Sequence, residues 1–479
     1  MINQEGYIEL STELQNCISK EQAWHYRIVP KNSSKEGIVF YLDDELEHAA
    51  EVEELEMLLG KKVELETIDS ATIQKTLSIY YRKNDRGGDG EVKIYNKKAD
   101  NFLKDLIAEA RNLGSSDIHI EAYEECCRVR LRIDGKLIER HKLTKDAYPS
   151  FINMIKIESK LDISEKRLPQ DGRISFDSGE DKFDIRVSVL PTLHGEKVVM
   201  RLLGTDAENI NIEQLGFTKE ELDTYLEGVR KPHGIVLISG PTGSGKTTTL
   251  YATLKVLNQK DTNILTVEDP IEYTLEGINQ VQLKENIELT FASVLRSFLR
   301  QDPDVIMLGE IRDGATAEMA VRAALTGHLV LSTIHTNSAW GTVSRLVDMG
   351  VPPFLIASTL NTSVAQRLVR LLCPECKKKE KFGTSFYPRS FNPLRDVDFH
   401  YLANGCEKCY YTGYKGRKAL YEVIPMDYEL GEMIKNGNFA VQKELKDRGI
   451  KTLAENAFVL FENGETFIHE VYPLLLSNI

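Results

Sequence analysis

The stretch "SGPTGSGKTTTL", Ser239 to Leu250, constrains this chain more than any other part of it. An apolar "GIVLIS" runs into it and a helix-patterned "KTTTLYATLKVL" leaves it. Gly240, Gly245, Lys246 and Thr247 therefore satisfy the phosphate-loop spacing in the strand-then-helix context that gives the spacing its meaning. Glycine is needed because the backbone must turn tightly and aim several N–H groups at one phosphate, with the positive end of the new helix behind them. Gly240, Pro241, Thr242, Gly243, Ser244, Gly245, Lys246, Thr247 and Thr248 are the expected cradle for ATP. Lys246 is expected to bridge the β- and γ-phosphates. Thr247 is expected to offer its hydroxyl to Mg²⁺, an ion that takes few protein ligands and keeps several waters.

A grip on phosphate does not identify the work done, since hydrolysis also needs a group that orients water and positive charge to meet the transition state. "DVIMLGEIRD" reads as an apolar strand ending at Gly309-Glu310, and the carboxylate at its tip, Glu310, is the preferred base. "LTVEDPIEY" ends a second strand with Glu268, Asp269 and Glu272, which could hold Mg²⁺ through waters or act as the base, so the choice among these carboxylates stays open. "LTGHLVLSTIHTN" sets His328 and His335 at opposite ends of a third strand. His335 falls at the carboxyl end, where ligands gather in open α/β sheets, and is expected to hydrogen-bond a phosphate. His328 reads equally well as structural.

From about residue 216 such strands alternate with helical stretches, the grammar of an α/β domain whose largely parallel sheet is covered on both faces. A chain of 479 residues holds more than one core of this size. Upstream, "RVRLRIDGKLIER" alternates Val129, Leu131 and Ile133 with Arg128, Arg130 and Arg132, then turns at Asp134-Gly135. "KFDIRVSVLP" sets Phe183, Ile185, Val187 and Val189 against Asp184, Arg186 and Ser188. A helix from Asp100 to a stop at Gly114, with Leu103, Leu106, Ile107 and Ala110 on one face, completes a small α+β domain. The expected organisation is an N-terminal α/β module over 1–90, the α+β domain over 91–205, a connection over 206–215 and the α/β domain over 216–479. The first boundary falls in the linker-like "RKNDRGGDG" of Arg82–Gly90. Residues 41–66 hold ten acids against Lys61 and Lys62, with Val52, Leu55 and Leu59 at helical spacing. That pattern reads as one apolar helix face with a solvated acidic back, or as a docking face for a basic partner.

Two CxxC pairs, Cys373 with Cys376 and Cys406 with Cys409, fall in the segment 371–412. Each pair can chelate from one tight knuckle, and four thiolates complete a closed tetrahedral site for structural Zn²⁺ with no open catalytic position. The start, "MINQEGYIEL", lacks the basic and apolar regions of a signal peptide, so a cytoplasmic chain with reduced thiols is expected. Cys17, Cys126 and Cys127 read as ordinary side chains. A net charge of −13 speaks against wrapping nucleic acid.

The boxes "SSDIHIE", "RLPQDGRI", "GEKVVMRLL", "GPTGSGKTT", "TVEDPIEY", "FLRQDPDVIMLGEIRD", "TGHLVLSTIHTN" and "AQRLVRLLCPEC", in this order, resemble the signatures of the secretion ATPase superfamily. The likeness is to the motors of type II secretion and type IV pilus assembly in particular. The resemblance implies a RecA-like ATPase domain, preceded by a PAS-like α+β domain that supplies arginines, and a homo-hexamer. On this chain Arg173, Arg186 and Arg201 resemble the arginines that close over bound nucleotide, and Arg296 and Arg300 match further basic positions beside it. It also implies an inner-membrane platform protein and its cytoplasmic adaptor as partners, at the inner face of the cytoplasmic membrane. The tetracysteine insert resembles that of assembly motors and is missing from retraction motors. The N-terminal module is short, and the arginine- and glycine-containing repeats of cyclic-dinucleotide sites are not found in it.

The leading expectation is thus a motor ATPase, with the pilus favoured over secretion. A nucleic-acid translocase with a zinc ribbon and a nucleotide-gated scaffold are the alternatives. The acidic total opposes the first, and measured turnover would separate the second.

Overall fold

The computed structural model describes residues 99–177, 182–202, 211–382 and 397–476 without interruption, and 20–34, 37–44, 61–81 and 93–95 with isolated positions between. The expected linker Arg82–Gly90 lies outside the described residues, as do 203–210 and the acids from Glu45 to Glu54. The chain divides into two compact units, Met1–Gly90 with Tyr410–Thr412, and Glu91–Cys409 with Gly413–Ile479.

In the first unit, strands β1 (Ile28–Ser33), β2 (Gly37–Asp43) and β3 (Lys62–Ile68) form one sheet, β1 antiparallel and β3 parallel to β2. Helix α1 (Ser70–Tyr80) starts at Asp69, whose side chain accepts from the Thr72 N–H at 2.9 Å. Ile73 and Leu77 on this helix join Ile28, Phe40 and Leu42 in a core that also takes Leu55, and Leu59 packs against it. The acidic segment therefore does turn an apolar face inward.

In the second unit the α+β half is a seven-stranded sheet in the order β4-β7-β6-β5-β10-β9-β8. The strands are β4 (Lys93–Tyr95), β5 (Asp117–Ala122), β6 (Cys127–Ile133), β7 (Lys136–Leu143), β8 (Gln170–Asp177), β9 (Lys182–Thr192) and β10 (Gly195–Leu202). Helix α2 (Ala99–Asn112) begins one residue before Asp100, buries Leu103, Leu106, Ile107 and Ala110, and closes at Gly114 with φ of 62°. The β6–β7 turn puts Asp134 and Gly135 at φ of 47° and 83°, the left-handed pair that a two-residue hairpin matching the strand twist requires. Helix α3 (Tyr148–Glu158) buries Phe151, Ile152 and Ile155.

The α/β half opens with helix α4 (Lys219–Val229), locked by a reciprocal Thr218–Glu221 capping box. Its sheet runs β13-β12-β14-β15-β11-β16-β19. Strand β11 (Gly234–Ser239) is parallel to both β15 (Leu329–Ile334) and β16 (Leu360–Leu372). Farther out lie β12 (Ile264–Glu268), β13 (Asn279–Gln282) and β14 (Val305–Leu308). Alternate residues of β11 enter different cores: Ile235 and Leu237 on one face, Val236 and Ile238 on the other. Burial on both sides is why "GIVLIS" is apolar throughout rather than alternating. Strand β19 (Tyr414–Pro425) runs antiparallel to β16, and a small sheet of β17 (Lys378–Lys381) and β18 (Phe399–Leu402) lies in the segment between them.

Candidate functional site

The phosphate loop leaves β11 at Ser239 and enters helix α5 (Lys246–Leu257). Gly240, Gly243 and Gly245 take φ of 151°, 79° and 87°, a region in which side chains with a Cβ are strained. Space adds to this: the obstacle at Gly240 is backbone, and at Gly245 it is the end of the Gln366 side chain. A Cβ on Gly240 would lie 2.5 Å from the Gln366 carbonyl oxygen, and one on Gly245 would lie 2.9 Å from Gln366 Nε2. Lys246 donates to the Gly240 and Pro241 carbonyls at 2.8 and 3.1 Å, so its ammonium sits within the loop's curl. Burial pulls its pKa down and Arg367 adds to that, against the opposing charge of Glu310. Thr247 is exposed at the start of α5.

The carboxylates differ in surroundings. Glu310, two residues past β14, pairs with Arg312 and lies 3.4 Å from His335 Nε2. Arg312 also reaches Asp269 at 3.5 Å. Glu268, at the end of β12, is 3% exposed and accepts from Tyr251, from Thr266 at 2.6 Å and from Gln280 at 3.1 Å. Burial, with the negative charge of Glu268 adding to it, pushes the Tyr251 phenol far above its ordinary range. Glu310, His335, Arg312 and Asp269 thus form one connected polar group at the carboxyl ends of the strands. His328 stands at the other end of β15, where its Nδ1 meets the Ala323 carbonyl at 2.9 Å and Thr326 at 3.1 Å, finishing the helix Gly314–Leu325.

The arginines from the α+β half form a row. Arg173 on β8 is directly opposite Arg186 on β9, Arg186 is opposite Arg201 on β10, and Arg201 is opposite Asp117 on β5. Arg173 pairs with Asp184 at 3.2 Å and Arg201 with Asp117 at 3.0 Å. Arg186 instead crosses to the α/β half, donating to the Ile271 carbonyl and lying 3.5 Å from Glu272. Arg296 and Arg300 fold back on their own segment, onto the carbonyls of Ala292 at 3.3 Å and Arg296 at 3.0 Å. Among the described residues no hydrogen bond or ion pair joins these two to the phosphate loop.

Four contributors carry no expected role in the sequence: Arg312, Tyr251, Gln366 and Arg367. Gln366 supports the loop from β16 and accepts from Thr249 at 2.9 Å, and Arg367 braces it through the carbonyls of Gln366 and Asn337, each at 3.0 Å. The signal was present in "GEIRD" and "AQRLVRLL", where charged or amide residues interrupt strand-like runs.

The cysteine segment closes into a cluster. The Sγ atoms of Cys373, Cys376, Cys406 and Cys409 all lie within 4.8 Å of one another. Cys373 to Cys406 is 3.9 Å, and Cys376 to Cys409 and Cys406 to Cys409 are both 3.7 Å. A tetrahedron with Zn–S bonds of about 2.3 Å has edges of about 3.8 Å, so the donor set fits that ion. Backbone N–H groups of Cys406 and Gly413 point at Cys409 Sγ, at 3.1 and 3.3 Å, and would support thiolate charge.

A phosphate loop on a mostly parallel sheet, with carboxylates at neighbouring strand tips, defines a nucleotide-hydrolysing class. Residues 96–473 match the family described as type II/IV secretion system protein, and the chain belongs to that family and is an ATPase. The type IV pilus assembly ATPase PilB of Myxococcus xanthus is 42% identical, aligned over 97% of this chain and 87% of its own. Type II secretion system protein E of Pseudomonas aeruginosa is 50% identical over 70% of this chain and 67% of its own. Among solved structures, the pilus retraction motor PilT with bound ADP aligns at a TM-score of 0.54 with 26% identity, covering 77% of this chain and 96% of that one. The Legionella pneumophila ATPase DotB aligns at 0.62 with 22% identity, covering 81% and 100%, a likeness of fold. Among the described residues no helix is long and apolar enough to cross a membrane.

Proposed function

We propose that the chain is the hexameric motor of type IV pilus assembly, coupling Mg-ATP hydrolysis to motion between its α+β and ATPase domains at an inner-membrane platform. The observation that carries the pilus reading is coverage. The pilus assembly relative aligns with nearly the whole chain, whereas the type II secretion relatives align over 70% to 77% of it. Type II secretion is the second reading, favoured by the 50% identity within that shorter span.

In the proposed mechanism the loop Gly240–Thr248 holds the phosphates, Lys246 bridges the β- and γ-positions, and Thr247 would hold Mg²⁺, which supplies charge neutralisation. Glu310 takes the proton of the attacking water, with His335 beside it at 3.4 Å supplying a hydrogen bond to phosphate. Glu268, held by three protein donors, positions the strand end. Arg186, with Arg173 and Arg201 in its row, closes a PAS-like domain over nucleotide bound to the RecA-like domain and lets go after hydrolysis. Arg296 and Arg300 are assigned to the subunit's nucleotide surroundings. The four cysteines hold structural Zn²⁺. The partners are a platform protein and its adaptor at the inner face of the cytoplasmic membrane, with no nucleic acid in the cycle.

The test is genetic and enzymatic together. Deleting the gene should abolish surface pili, restored by the wild-type chain and not by Glu310→Gln, whose purified turnover should fall by on the order of 10²-fold or more with nucleotide binding retained. Pili that persist while protein secretion fails would replace the pilus reading with type II secretion.

A further inference from the structure

The α+β half contains a cavity of about 420 Å³, none of whose lining residues belongs to the phosphate loop or the arginine row. That volume falls in the range of small-molecule sites, roughly 300–1,000 Å³. Its lining includes Cys127, Tyr148 and Ile152, all buried, together with the ring-bearing Tyr123, Pro149 and Pro191. Lys145, Lys166 and His194 stand around it.

Its charge is lopsided. Among the described lining residues Glu196 carries the one carboxylate, and that charge is cancelled from behind. Lys156, fully buried, pairs with Glu196 at 2.5 Å and is held by the carbonyls of Glu165 and Asp162 at 2.7 and 3.3 Å. A buried ammonium is costly to desolvate unless so paired, so the pair is neutral together and leaves the lysines uncompensated by the lining. The Tyr148 hydroxyl donates to the Glu196 carbonyl at 2.6 Å, presenting its ring rather than its polar end. Arg128 donates to the Tyr123 hydroxyl at 2.9 Å and its guanidinium lies 4.7 Å from that ring. The first turn of α3 supplies Tyr148 and Pro149, and its cap residue Ala147 brings no side-chain acceptor.

We propose that this cavity binds a small organic phosphate with a flat apolar body. The body packs against the Tyr and Pro rings and Ile152. The phosphate pairs with Lys145 and Lys166 through charge-assisted hydrogen bonds. The site is separate from the nucleotide site, since Pro191 lies roughly 17 Å beyond Arg186 along β9 at about 3.4 Å per residue.

The test is calorimetric titration of phenyl phosphate into the full chain carrying Lys246→Ala, which disables the phosphate loop, with inorganic phosphate as the second probe. Saturable one-site binding is expected, tighter for phenyl phosphate than for inorganic phosphate. Affinity should fall at least tenfold when Lys145→Gln and Lys166→Gln are added. Both lysines are exposed, and an unchanged thermal midpoint checks that the variant remains folded. No saturable heat, or equal affinity after both lysines are replaced, overturns the site. Equal affinity for the two probes overturns the flat-bodied ligand.

Discussion

Glu310 and Glu268 stand at the ends of adjacent strands, yet their surroundings suit them to different work. Glu268 is enclosed by Tyr251, Thr266 and Gln280, so three of its roughly four acceptor sites are engaged by protein donors. Among the described residues Glu310 is partnered by Arg312 and His335 at a more open position, contacts an incoming phosphate could exchange for its own. The motif letters showed four candidate carboxylates and could not rank them, because hydrogen-bond saturation comes from residues distant in sequence. A second residue-scale effect is electrostatic. Glu109 accepts from His141 at 2.6 Å and from Arg140 at 2.8 Å, and these hold its pKa at about 2 from 4.5, against opposing burial. A depressed carboxylate stabilises the fold fully above its unfolded value and loses that contribution as pH falls through the folded one. Between about pH 4.5 and 2 the α+β half should therefore lose stability, and Glu109→Gln should flatten that slope in acid denaturation followed by circular dichroism. An unchanged slope would contradict the assignment.

At the scale of elements, the β6–β7 hairpin was legible because its turn and its alternation are both local. Strand β16 was not, since Gln366 and Arg370 sit buried within it. Arg370 pairs with Glu470, a hundred residues on, and its guanidinium lies 3.9 Å from the Tyr414 ring. The arginine row was visible as three separate motif residues, and their shared line across β8, β9 and β10 is a matter of register, which sequence spacing does not encode. The cysteine knuckles were legible from spacing alone. On the zinc reading, Cys376→Ser should abolish the single equivalent of zinc found by elemental analysis. It should also lower the thermal midpoint by roughly 5 °C or more, since losing a structural metal costs several kcal/mol. One zinc per chain retained in that variant would count against the four-thiolate site.

Across the whole molecule, the sequence's division into an N-terminal module, an α+β domain and an α/β domain rests on composition and pattern. Contacts joining the last two include Arg186, which reaches a loop 85 residues away in sequence, and the β6–β7 turn, where Asp134 accepts from the Gly416 N–H at 2.9 Å and lies 3.8 Å from Arg417. Arg186 meets the "EDPIEY" loop, whose Glu268 ends the strand beside that of Glu310. In the proposed mechanism a cation on one domain, seated against the acidic loop of another, would trade that partner for a nucleotide's phosphates and so link chemistry to domain position. On this reading Arg186 takes part in hydrolysis, and steady-state ATP turnover of Arg186→Ala measures its share. Turnover should fall on the order of 10²-fold or more with ATP still bound by the phosphate loop. Turnover within twofold of the wild-type chain would contradict it.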